Sequence, residues 1–109
     1  MAKNLKLVLL LDCYGELLTE RQRDLAELYY NEDLSLSEIA EMRDITRQAV
    51  RDSLRHSENV LLTTEQKLGM AERIGAMRRC LEEIRLQCTA GMPDPEKITE
   101  LTDEGLRLL

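Results

Sequence analysis

The sequence predicts an all-α fold, a helical bundle with a long C-terminal helix, and three observations predict it. The 109 residues hold five scattered glycines and two prolines, Pro93 and Pro95, set together near the C-terminus. Long stretches therefore lack helix breakers, and they are filled with Leu, Glu, Arg and Ala, which are good helix formers. Apolar residues recur at three- and four-residue intervals rather than alternating. Hydroxyl residues with a Glu or Gln three positions on, Thr19 with Gln22 and Ser35 with Glu38, stand before apolar runs and mark helix starts. The chain has no Trp or Phe, and its three tyrosines are Tyr14, Tyr29 and Tyr30; nothing reads as a β-sandwich or barrel.

Taken in order, residues 5–15 form a first helix, apolar on more than one side and so placed in the core. Thr19 opens a second helix, in which its hydroxyl takes an orphan backbone N–H and Gln22 reaches back; Leu25, Leu28 and Tyr29 give it an apolar stripe. Of the tyrosine pair, one is expected in the core and one at its edge. The polar stretch 31–33 ends this helix. Ser35 and Glu38 open a short third helix with Leu36, Ile39 and Ala40 inward. Asp44 and Ile45 mark a tight turn, Thr46 caps the next helix, and Ala49, Val50 and Leu54 face the core. After Thr63 or Thr64 a long helix runs to about Cys88. Gly91, Met92 and Pro93 form a linker, Asp94 caps and Pro95 starts a last short helix, whose apolar residues are Ile98, Leu101 and Leu106. The expected organisation is a domain at 1–62, the long helix at 63–90, and the linker with its short helix at 91–109.

Composition narrows the function. The length suffices for one domain, or one domain with an appendage, and with 43% hydrophobic and 33% charged residues a core can form. The most apolar run, 7–11, is far short of the ~20 residues of a membrane span, and Asp12 interrupts it before a signal-peptide core could form; a cytosolic protein with no membrane insertion is expected. Cys13, Cys80 and Cys88 are odd in number and contain no CxxC pair. On a helix Cys80 and Cys88 would lie ~12 Å apart, too far for a disulfide, so all three read as buried or half-buried reduced thiols. His56 is the single histidine, which leaves no histidine triad or multi-histidine metal site. The carboxylates at 82–83 and 96–104 spread over helix faces as solvated surface, and no Gly-rich phosphate loop is present. No catalytic set, metal site or cofactor is expected, and the protein does not read as an enzyme. A net charge of −6 opposes non-specific nucleic-acid binding, so any such role needs a local basic face.

The strongest signal lies at 35–58. A helix-turn-helix needs a small residue where its second helix crosses the first, an apolar residue to seal the turn, a cap, and apolar anchors. Ala40, Ile45, Thr46, and Val50 with Leu54 supply them in that order. The opposite face then holds Arg47, Gln48, Arg51 and Arg55. Arginine pairs bidentately with guanine and glutamine with adenine, and three arginines face one aspartate, Asp52, over 46–56. Thr46, Arg47, Gln48, Arg51 and Arg55 are the candidate nucleic-acid contacts; the same face also fits plain solvated surface, with Arg51 or Arg55 paired to a neighbouring carboxylate. Asp44 stands where such turns often hold glycine, and Asp tolerates the left-handed conformation better than most residues.

The stretches from Leu17 (LLTERQ), Leu28 (LYYNEDLSLSEIAE) and Thr46 (TRQAVRD) resemble the YlxM family of small bacterial helix-turn-helix proteins, which are similar to region four of sigma factors. The resemblance covers residues 5–90 in organisation, with its specific part at 17–57; the tail beyond Ala90 matches no pattern. It implies a sigma-region-four-like fold and a regulatory setting in the signal recognition particle pathway, because genes of the family lie beside those of the particle's GTPases. It brings no catalytic or metal residues.

Met70, Ile74, Met77, Leu81, Ile84 and Cys88 are spaced 4, 3, 4, 3, 4, a heptad seam that Gly69 and Gly75 weaken. It fits a two-helix dimer contact or packing against the domain's own first helix. The length of the helix, beyond four short helices that already make a core, favours a homodimer. The function expected is a helix-turn-helix regulatory protein that binds DNA or RNA and takes part in the signal recognition particle pathway. The alternative, which the net charge favours, is an adaptor without DNA binding that holds a protein component of the targeting machinery.

Overall fold

The computed structural model describes residues 3–109, and every regular element among them is helical. In order these are α1 (Leu5–Tyr14), a 3-10 turn (Gly15–Leu17), α2 (Glu20–Tyr30), α3 (Leu36–Arg43), α4 (Arg47–Leu68), α5 (Met70–Thr89) and α6 (Pro95–Arg107). The chain divides into two compact units, residues 1–68 and 69–109.

The first unit is built on α4, against which α1, α2 and α3 all pack. Both capping boxes form: the Gln22 N–H donates to Thr19 Oγ1 at 3.2 Å and the Glu38 N–H to Ser35 Oγ at 3.1 Å, each with its return bond. Asp44 adopts φ 54°, ψ 48°, and the Ile45 N–H reaches back to the Ala40 carbonyl at 3.0 Å. That is a Schellman end to α3, with aspartate standing where glycine is usual. The core is formed by Leu7, Leu10, Leu11 and Tyr14 of α1, Leu25, Ala26 and Tyr30 of α2, Ile39 and Ala40 of α3, and Val50, Leu54, Ser57 and Leu61 of α4, with Leu18 between. Leu28, Tyr29, Leu36 and Ala49, expected inward, are only half-buried. On α2 the buried stripe is rotated toward Ala26 and Tyr30, leaving Tyr29 edge-on to Tyr30 at 4.9 Å.

Lys3 fastens the far end of α2. Its ammonium donates to the carbonyls of Tyr29 and Leu34 at 2.6 Å each and lies 3.6 Å from the Tyr29 ring centroid. A carbonyl of the last turn of α2 and one of the loop that follows are thereby satisfied by a cation.

No helix opens at Thr63 or Thr64. The helix that starts at Arg47 runs unbroken to Leu68, and the break falls at Gly69, whose φ of +61° is left-handed. Two causes act. The Thr64 hydroxyl donates to the Val60 carbonyl at 2.7 Å, bonding its own preceding turn rather than capping a new one. The buried stripe of α4 also continues at 4, 3, 4 spacing from Val50 to Leu61, so tertiary packing carries the helix past residue 62. The helical boundary expected there lies at Gly69.

Ser57 is 1% exposed and its hydroxyl has no hydrogen-bond partner among the described residues. A buried, unsatisfied hydroxyl costs about 1–3 kcal/mol. Ser57→Ala is therefore expected to raise the urea midpoint of the chain, with a gain of about 1 kcal/mol and an unchanged slope. A lowered midpoint would mean that the hydroxyl is bonded in solution.

The second unit is a helical hairpin. Gly69 caps α5 in its left-handed conformation, and the Asp94 side chain accepts from the Glu96 N–H at 3.0 Å with Pro95 opening α6. Cys80 of α5 and Leu101 of α6 are the two buried side chains among the described residues of this unit. Gly105 faces Cys80: a Cβ placed there would stand 3.9 Å from that of Cys80, an ordinary packing distance. Leu106, expected inward, is 61% exposed, because the inward face of α6 runs through Ile98, Leu101, Gly105 and Leu108. Cys88 is likewise exposed rather than buried.

Candidate nucleic-acid interface

Local chemistry sets the start of α4. The Thr46 hydroxyl accepts from the Ala49 N–H at 3.0 Å, so Thr46 serves first as the cap. Val50 and Leu54 are buried beneath, and this fixes the rotation of the helix. Arg47, Arg51 and Arg55 then fall at four-residue intervals on exposed positions, a row ~12 Å long at 1.5 Å per residue. Among the described residues no carboxylate forms an ion pair with any of the three. Gln48, also exposed, donates one amide N–H to Asp52 Oδ1 at 2.8 Å and keeps a second N–H and its carbonyl oxygen for a partner.

The remaining carboxylates of α4 are drawn inward. Tyr14 of α1 donates its hydroxyl to Glu65 at 2.6 Å, and Tyr30 of α2 donates to Glu58. Burial first, and the Glu58 carboxylate next, hold the Tyr30 phenol well above its ordinary pKa, so it stays a hydrogen-bond donor. With both glutamates turned to tyrosines, Asp52 is the one carboxylate among the exposed residues of α4. The exposed residues of α4 past Arg55 were not among the expected contacts. His56, Asn59, Gln66 and Lys67 are exposed beyond Arg55; at about 100° per residue Asn59 and Gln66 fall beside the arginine row, whereas His56 and Lys67 fall well around the helix from it. For Gln66 the length of α4 was the missing information, since a break after residue 62 would have separated it from the arginines.

Within the helix-turn-helix the arginines outside ion pairs lie on α4 rather than on α3. On α3, Glu38 and Glu41 are exposed. Arg43 is engaged by Asp24 of α2, which accepts from its Nε and its Nη2 at 2.7 and 2.9 Å. Hydrogen bonding from that guanidinium holds the Asp24 carboxyl below the usual carboxylate range, and the pair fixes α3 on α2. Burial, and then Glu65 and Asp12, push the Cys13 thiol up, which makes it a poor nucleophile. Among the described residues no group of three or more His, Cys, Asp or Glu side chains could hold a metal, and no helix is long and apolar enough to cross a membrane. Of the seam residues, Met70, Ile74 and Leu81 are exposed at 40, 47 and 61%, while Met77 and Ile84 are half-buried.

Comparison with known proteins agrees with this architecture. Residues 1–101 match the family described as "Putative helix-turn-helix protein, YlxM / p13 like" (UPF0122). A UPF0122 protein of Desulforamulus reducens is 51% identical over 79 residues, spanning 72% of this chain and 68% of the relative. Another, from Clostridium perfringens strain 13, is 36% identical over 106 residues, spanning 97% of this chain and 95% of the relative.

Proposed function

The chain belongs to the YlxM/p13-like helix-turn-helix family, and on that premise we propose that it is a cytoplasmic regulatory protein that binds nucleic acid through the outer face of α4. Arg47, Gln48, Arg51 and Arg55 are its first contacts, with Thr46 positioning them. Asn59 and Gln66, beside the arginine row, carry the contact along the backbone of the bound strand or duplex. The observation behind this reading is the exposed face of α4, with three arginines that pair with no carboxylate among the described residues and Asp52 as its one exposed carboxylate, on a protein of net charge −6. A helix-turn-helix places the first turns of such a helix at base edges, and its remaining length is suited to phosphates. We place the protein in the signal recognition particle pathway, with that particle's RNA as the first target to test, and assign it a homodimeric state.

The same acidity supports a second reading, an adaptor in which the helix-turn-helix is a scaffold for a protein partner. Titration against labelled duplex DNA, and against the RNA of the signal recognition particle, separates the two. Three phosphate contacts on duplex DNA predict an affinity loss of roughly 40-fold between about 50 and 200 mM salt. Steep salt dependence on either target supports nucleic-acid binding and says which kind; no binding at the lower salt overturns it in favour of the adaptor.

A further inference from the structure

We infer that two copies of the chain pair through the α5–α6 hairpin as a four-helix bundle, with α5 of each copy lying against α6 of the other. This specifies the dimer invoked above and is independent of what α4 binds. The hairpin spans residues 69–109 and buries two side chains, Cys80 and Leu101. A unit of about 40 residues with so little buried surface needs further burial to hold its shape, and oligomerisation is one of the usual sources.

Each helix carries a second apolar strip beside its inward one. Leu81 follows the buried Cys80, and Leu106 follows Gly105, so each is turned about 100° from the hairpin contact in the same sense. The two helices run antiparallel, so equal rotations bring both strips to one side of the hairpin. Met70 and Ile74 continue the strip of α5, and all four side chains are 40–61% exposed in the chain. Two contact faces near a right angle on every helix is the geometry of a four-helix bundle. On α6 the strip also includes Thr99 and Thr102, whose hydroxyls already donate to the carbonyls of Pro95 and Ile98 at 2.9 and 2.8 Å. Covering them strands no donor.

Charge selects the partner. The outer edge of the α5 strip carries Arg78 and Arg85 with Glu82, a net basic edge, and that of the α6 strip carries Glu96 and Asp103 with Arg107, a net acidic one, all exposed. Pairing α5 with α5 sets arginine beside arginine, whereas α5 against α6 of the second copy sets each edge beside its opposite.

Light scattering on the full chain at about 100 μM tests this, a concentration well above the micromolar dissociation constants of even modest interfaces. The expected mass is twice the 12.6 kDa of one chain. Leu81→Glu is expected to give the single-chain mass, with dimer affinity lowered at least ~100-fold by a charge buried without a partner. Circular dichroism would confirm that the remaining helices persist. Leu86→Glu, equally exposed but off the strip, is expected to leave the dimer intact. Arg78→Glu with Arg85→Glu is expected to weaken it, and adding Glu96→Lys and Asp103→Lys to restore it. A single-chain mass for the unaltered protein, or a dimer that survives Leu81→Glu, would overturn the interface. Failure of the charge exchange to restore pairing would overturn the α5-to-α6 arrangement. No step uses nucleic acid, so this result and that of the binding titration can each fail alone.

Discussion

Arg51→Glu is expected to weaken nucleic-acid binding about 10- to 100-fold, the worth of one base-edge contact of roughly 1–3 kcal/mol. Arg51 is the middle arginine of the row, exposed and free of any ion pair among the described residues, so its removal leaves no buried charge behind. The reversed charge also repels the phosphates on either side of its contact. A fluorescence-anisotropy titration at several salt concentrations would show two changes: a weaker dissociation constant, and a salt slope reduced by about one for each phosphate the variant no longer neutralises. Asp52→Asn is expected to act in the opposite sense, because it removes the one carboxylate among the exposed residues of α4 and releases Gln48 from its bond. Binding by Arg51→Glu with unchanged affinity and slope would remove this face from the interface. Since Arg51 contributes nothing to the core, circular dichroism and the thermal midpoint should stay at the values of the unaltered chain, and a lowered midpoint would reveal an unsuspected structural role.

Leu61→Ala is expected to cost about 2–5 kcal/mol of stability, the range for emptying a fully buried leucine position. Leu61 is 0% exposed, among the most enclosed side chains of the first unit. It stands one turn beyond Ser57 on the stripe that α1 and α2 cover, and four residues before Glu65, which receives the Tyr14 hydroxyl. Urea unfolding followed by circular dichroism would show the midpoint falling sharply at nearly constant slope. The substitution also tests the continuity of α4. If the helix ended near residue 62, Leu61 would sit in a frayed last turn and its truncation would cost well under 1 kcal/mol. A small effect would therefore restore the break expected after residue 62, and with it a candidate face that stops short of Gln66.

The elements whose formation is local were legible in the chain. The two capping boxes need only residues three apart, and both formed as the spacing requires. The turn at Asp44 and the cap at Thr46 are equally local, as are the linker at 91–93 and the start of α6 at Pro95. Arg47, Gln48, Arg51 and Arg55 were legible as exposed residues because Val50 and Leu54 fix the rotation of their helix within two turns. Local signals went astray where two constraints competed. Thr63 and Thr64 look like caps, but a threonine hydroxyl can bond the carbonyl one turn back at little cost to the helix, and burial of Leu61 decided the matter. Leu106 looks inward by spacing alone, yet Gly105 is the residue that faces Cys80.

By itself, then, the sequence determined the all-helical class, the order of the helices, the helix-turn-helix and the identity of its outward arginines. Each of these follows from hydrogen bonds and side-chain spacings within a few residues. Only the tertiary structure decided how far α4 runs, which carboxylates leave its face by turning to Tyr14 and Tyr30, and that Lys3 and the Asp24–Arg43 pair fasten α2 and α3. Those outcomes depend on contacts between residues from 19 to 51 positions apart, and such contacts exist only once the chain has closed its loops and shared its buried surface among the helices.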